Sequence, residues 1–159
     1  MVNRIINFLK RLIKKIMGQY PMPAYHFIVD WGGTRLGFTE VSGLEIDIDV
    51  VEYREGSDPN QAAHKMPGLT RYKNIILKRG IAKGDNDFFT WMNTKNLNQV
   101  ERRDIIIKLL NENHEPVMSW KARNAFPVKL TGPVLNANSS EAAIEELELA
   151  HEGLVIEVS

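Results

Sequence analysis

The residues to test first for chemistry are His26, His64, His114 and His151, because neutral imidazole is both a common metal ligand and a general base near pH 7. None of them pairs with another histidine, or with a nearby acid on one element, at ligand spacing. Glu45, Asp47 and Asp49 put three carboxylates two residues apart, which is one face of an extended strand. A calcium loop would add a glycine turn and a closing glutamate, and neither follows. The three acids therefore read as a solvated strand face, or as the wall of an aqueous channel. The segment 32–37, Gly-Gly-Thr-Arg-Leu-Gly, matches no phosphate-binding glycine pattern. Ser42-Gly43 lacks the flanking glycine of a nucleophile elbow. The chain contains no cysteine, which removes disulfides, thiolate zinc sites, iron–sulfur clusters and thiol nucleophiles. No acid–base pair or triad assembles from local motifs. The expectation is a protein with no catalytic residues, no metal and no cofactor.

The elements that carry these residues are mostly extended. Residues 24–31 alternate as a strand, with Gly32-Gly33 as a tight turn and 34–39 as the expected hairpin partner. Leu44, Ile46, Ile48 and Val50 alternate with acids, giving the clearest strand, with its apolar face expected in the core. Residues 55–70 break the pattern with turn chemistry at 55–60 and 66–68, so they read as a long loop or projecting arm before a strand at 72–78. Asp85 is the candidate N-cap of a short helix at about 86–95, with Phe88, Trp91 and Met92 on its core face and Asn96 as terminator. Ile105, Ile106 and Ile107 form a run apolar on both sides, expected to be a central strand covered on both faces. Strands follow at 117–124 and 128–135, split by Phe126-Pro127, and at 154–158. Residues 141–150 are in conflict: their Glu, Ala and Leu content favours helix, while Leu147 and Leu149 fit alternation.

This pattern predicts a mainly β fold, an antiparallel sandwich or barrel of about seven strands with one short α-helix. At 159 residues with 43% hydrophobic content, the chain is long enough for one domain with a full core. The formal net charge of zero conceals an asymmetry. Residues 1–19 hold Arg4, Lys10, Arg11, Lys14 and Lys15 and no acid, so the remainder is acidic. The balance excludes a globally basic nucleic-acid binder, and no nucleic-acid specificity is expected. Ile5, Leu9, Leu12 and Ile16 recur at helical spacing opposite the basic residues, which makes an N-terminal amphipathic helix for a membrane surface or for packing. Another reading is that residues 1–16 are an extension upstream of a start at Met17. The division expected is an extension at 1–18 and a β-barrel domain at 19–159.

Several motifs in order are similar to one family. They are Tyr20-Pro21-Met22-Pro23-Ala24-Tyr25-His26-Phe27, Val41-Ser42-Gly43-Leu44, Glu52-Tyr53-Arg54-Glu55-Gly56, Lys65-Met66-Pro67-Gly68 and Leu77-Lys78-Arg79-Gly80. Phe88-Phe89-Thr90-Trp91-Met92-Asn93 follows. Asn98-Gln99-Val100-Glu101-Arg102-Arg103-Asp104 and Asn124-Ala125-Phe126-Pro127 are the most specific. From about Tyr20 onward the chain resembles the tail tube proteins of contractile phages and of extracellular contractile injection systems. The basic leader is not part of that common pattern.

The resemblance implies a non-enzymatic structural subunit. It implies hexameric rings stacked into a hollow tube, a contracting sheath, a baseplate, and a cargo effector in the lumen. It implies assembly in the bacterial cytoplasm within an injection particle or phage-like tail, membrane-attached or released. A distant relative is the haemolysin-coregulated protein of type VI secretion. The resemblance also turns 142–150 toward strand. Within this frame the arm supplies candidate inter-ring contacts, Arg54, Glu55, Asp58, Lys65, Met66, Pro67 and Arg71, whose mixed charge suits register. Glu45, Asp47 and Asp49 are the lumen-facing candidates, and residues 1–16 the candidate membrane contact. The alternatives are a specialised tube-initiator ring near the baseplate, a soluble ligand-binding β-barrel with a membrane-surface helix, or a membrane-active effector.

Overall fold

The structure, a computed structural model, describes residues 1–17, 22–34, 37–94 and 99–158, without the side chains of 14–17. Tyr20, Pro21, Arg35, Leu36, Asn96, Asn98 and the side chain of Ile16 fall outside the described residues. In chain order the elements are α1 (Val2–Met17), β1 (Phe27–Asp30), β2 (Glu40–Ser42), β3 (Ile46–Tyr53), β4 (His64–Tyr72) and β5 (Ile75–Gly80). Then come α2 (Asp87–Met92), β6 (Arg103–Leu110), β7 (Pro116–Thr131), β8 (Ile144–Ala150) and β9 (Leu154–Val158). Every strand pairing is antiparallel. Nine strands stand among the described residues, where about seven were expected.

Seven strands form one bent sheet, ordered β1-β6-β7-β8-β5-β2, with β9 also on β7. The bend is made by β7. Its first half pairs with β6 and β9, around Trp120, and its second half pairs with β8 from Phe126 to Thr131. Phe126-Pro127 therefore does not split two strands, contrary to expectation. Proline has no N–H for a ladder, so it is tolerated at bulges and edges. Pro127 sits at a register shift against β8, beyond the last β6 pairing at Ala125.

The same stretch holds the corner. Asn124 has a positive φ of 52°, a conformation asparagine accepts more readily than most residues. Its amide donates to Asp104 Oδ1 at 3.1 Å and its side-chain nitrogen to Glu152 Oε2 at 2.9 Å. Arg102 reaches the other Glu152 oxygen at 2.7 Å and lies over the Phe126 ring. Two sequence motifs twenty residues apart thus meet at one point, where they turn one half-sheet into the other.

The core lies inside this bend. Ile75 and Leu77 of β5 face Leu149 and Leu147 of β8 in register, and all four are fully buried. This decides the conflict at the C-terminal segment in favour of strand. The local helix preference is worth tenths of a kilocalorie per residue, while burying each leucine is worth about 2 kcal/mol. Trp31, Phe88 and Trp91 fill the other end, with Phe38 packed edge-on against Trp31. Helix α2 is shorter than the expected 86–95, and its N-cap is Asn86 rather than Asp85. Asp85 still accepts the Asp87 amide at 3.1 Å.

Three further expectations are corrected. The described residues of 34–39 do not pair with β1. Strand β1 pairs β6 instead, and β2 crosses to pair β5. Strand β6 already occupies the ladder of β1 from Phe27 to Asp30, and Trp31 just after it is buried in the core. The apolar residues of β3 are not core: Ile46, Ile48 and Val50 are exposed, because β3 pairs only with β4. Strand β6 is buried on one face at Ile105 and Ile107, whereas Ile106 and Lys108 opposite are half-buried. No helix among the described residues is long and apolar enough to cross a membrane.

Candidate functional site

Two surfaces of the β body stand out among the described residues: the β3–β4 ribbon and the margins of the sheet.

The second part of the segment read as a long loop is strand. Residues 64–72 form β4 and pair with β3 from Ile46↔Tyr72 to Tyr53↔His64, leaving residues 54–63 as the tip. A bulge puts Gly68 and Leu69 opposite Asp49, which bends the ribbon. The ribbon is anchored where β2 leads into β3: Gly43 has φ of 85°, and a side chain there would strike the backbone oxygen of Asn74. Val41-Ser42-Gly43-Leu44 is thus a crossing point that only glycine fits.

The sequence-derived contact residues are brought together on this ribbon, but not as an equivalent set. Arg54, Glu55 and Asp58 belong to the tip. Asp58 organises it, accepting the Asn60 amide at 2.9 Å and facing His64 Nε2 at 3.0 Å. Arg54 donates to the Asn60 carbonyl at 3.3 Å, and the Tyr53 hydroxyl to Glu55 at 3.0 Å. Arg71 donates to Asp49 at 2.8 Å across the ladder. Lys65, Met66 and Pro67 project from β4 and are exposed.

The acidic ladder is on the same ribbon and is less acidic than the sequence suggests. Glu45 pairs with Lys73 at 3.3 Å, Asp49 with Arg71, and Asp47 lies opposite Arg71 in register. Exposed pairs of this kind contribute about 0–1 kcal/mol each, so they set register more than stability.

The sheet margins are the second surface. Among the described residues, the path from β1 to β2 does not close on itself. Strand β9 pairs β7 on one side only among the described residues, and exposes Val155, Ile156 and Val158. An apolar edge strand with unpaired backbone groups favours addition of another strand. Sequence reading did not single out β9 for this role, because alternation does not report which strand ends at a margin.

Arg79 was also missed. It continues the inward row of Ile75 and Leu77 and is fully buried. It donates to Glu145 at 2.7 Å and Asp85 at 3.3 Å, and lies 3.7 Å over the Phe88 ring. Its position two residues beyond Leu77 was the available signal. No group of three or more metal-ligating side chains exists among the described residues. The stripe of α1 stays uncovered: Ile5, Leu9 and Leu12 are exposed, so the body does not bury them.

Residues 23–155 match the family model of T4-like virus tail tube protein gp19. A chain of the sheath–tube complex of an extracellular contractile injection system, PVC, in its extended state is 39% identical. It superposes with a TM-score of 0.84 over 92% of this chain and 97% of that one. A chain of the anti-feeding prophage tube-terminating cap is 42% identical, with a TM-score of 0.82 over 89% and 93% of the two chains. Hcp1 from Flavobacterium johnsoniae, 18% identical with a TM-score of 0.53 over 85% and 97%, shares the fold. No curated protein matches the chain.

Proposed function

Because this chain belongs to the T4-like virus tail tube family and is a tube-type structural subunit, we propose that it closes into rings through its sheet margins and stacks through its ribbon. The likeness at 39% identity to a chain of a sheath–tube complex, over 92% of this chain, carries this reading. Copies arranged head to tail around an axis satisfy one another's edges, and closure leaves no free margin. Strand β9, with Val155, Ile156 and Val158, is longer than the end strands β1 and β2 and is the margin we assign to the neighbour within a ring. In this reading each ring holds six copies, the number that the resemblance to tail tube proteins implies. A sheath outside, a baseplate at one end and a cargo effector within the lumen complete the particle, which assembles in the bacterial cytoplasm. The subunit itself performs no catalysis.

Stacking falls to the ribbon. Lys65, Met66 and Pro67 form its outward contact, while Arg54, Glu55 and Asp58 shape the tip and Arg71 holds the ladder in register. The lumen candidates Glu45, Asp47 and Asp49 enter in reduced form. With Glu45 on Lys73 and Asp49 on Arg71, the ribbon offers the channel a nearly neutral mosaic rather than an acidic strip.

A second reading, a cap ring that ends the tube, is favoured by the 42% identity to the anti-feeding prophage cap. Electron microscopy of the concentrated purified protein tests both. Tubes of one diameter and unlimited length support the stacking subunit, and single rings support the cap. A monomer at high concentration would overturn both.

A further inference from the structure

We propose that α1 is a docking helix for the anionic surface of a lipid bilayer. The inference rests on α1 alone and does not depend on the tube reading. Helix α1 lies N-terminal to residues 23–155, the segment that matches the family model, so that match does not account for it.

The argument is one of sidedness. Turning about 100° per residue, Val2, Ile5, Ile6, Phe8, Leu9, Leu12 and Ile13 fall within an arc of roughly 160°. Asn3, Arg4, Asn7, Lys10 and Arg11 fill the opposite arc, with no residue of either kind in the other's territory. In sequence, Lys14 and Lys15 extend the basic side and Ile16 the apolar one. Every described side chain of the helix is exposed.

An apolar arc that wide exceeds the narrow seam of a two-helix coiled coil. Packing α1 helices together would also crowd five cations per copy with no acid among them to offset the repulsion. A planar, apolar, negatively charged surface suits both faces. The apolar arc enters the acyl boundary while the lysines and arginines meet lipid phosphates. The helix lies in the interface and does not span it.

The test uses the full-length protein with vesicles of phosphatidylcholine alone and vesicles in which about one-third is phosphatidylglycerol. The expected result is cosedimentation at least about tenfold stronger with the anionic vesicles, weakened by added salt. Leu9→Glu with Leu12→Glu, and separately Lys10→Glu with Arg11→Glu, should each lower binding at least about tenfold. A Phe8→Trp reporter should shift its emission to the blue on binding. Both pairs are on exposed positions, and an unchanged melting curve of the body verifies folding. Three results would overturn the proposal. One is absence of anionic-vesicle binding. Another is binding untouched by the leucine substitutions. The third is a lipid-free particle that shrinks when those leucines change, which would mean a second copy covers the stripe. Ring or tube formation is scored in the same samples by microscopy, so loss of the tube reading and loss of this one are distinguishable.

Discussion

Arg79 and Arg71 each hold a carboxylate across an antiparallel pair at nearly the same distance, 2.7 Å to Glu145 and 2.8 Å to Asp49. Their surroundings differ completely. The Arg79 side chain is 0% exposed and sits beneath aromatic rings, whereas that of Arg71 is 70% exposed on the ribbon. Water screens and competes for the outer pair, and side-chain entropy opposes it. The inner pair has lost its hydration, so each charge depends on the other. One bond geometry therefore serves the permanence of the body in one place and the alignment of an interface in the other.

The sharpest way to break this contrast is Arg79→Ala. It should destabilise the subunit by about 3–5 kcal/mol in chemical denaturation, since Glu145 and Asp85 are left without their cation. The double change Arg79→Met with Glu145→Leu should recover part of that loss, because a removed pair costs less than a broken one. Equal loss in both variants would mean that the packing of the guanidinium over Phe88 matters more than its charge.

Asn124→Ala probes the corner between the two half-sheets. It loses the bond to Glu152 and forces alanine to positive φ, so a cost of about 1–2 kcal/mol is expected. Asn124→Gly should cost less than alanine, and the reverse ranking would show that the backbone conformation is not what asparagine supplies there.

Arg71→Ala should change subunit stability by no more than about 1 kcal/mol while reducing tube yield by microscopy. A stability loss as large as that of Arg79→Ala would erase the distinction between the two regions.

Deleting residues 57–63 should affect folding least. Arg54, Glu55 and Gly56 would remain as a three-residue connection between the paired Tyr53 and His64, a length that hairpins accept. The subunit should melt as before but fail to stack. Tubes of normal length from this variant would remove the tip of the ribbon from the stacking contact.

Much of the fold was legible locally. Alternation located β3, β6 and β9, and Phe88 and Trp91 marked the buried face of α2. The family motifs led to the right family, and two of them prove to be the corner at Asn124 and Asp104. Of the candidate site, the sequence brought the ribbon residues into one segment. It did not reveal that Asp58 is spent on shaping the tip, or that Arg71 is spent on Asp49. Those facts depend on the register between two strands, which a single strand does not encode.

By itself the sequence determined which residues share a face, because the period of two is a property of one extended chain. It also determined the separation of apolar and basic residues on α1, which the 3.6-residue turn imposes. Only the tertiary structure decided what covers each face. Ile46 and Ile48 alternate as cleanly as Ile75 and Leu77, yet the first pair meets solvent and the second meets β8. Burial is settled by partners far away in sequence, and the same distant contacts made a strand of 144–150, carried β7 through Pro127 and placed a charged arginine in the core.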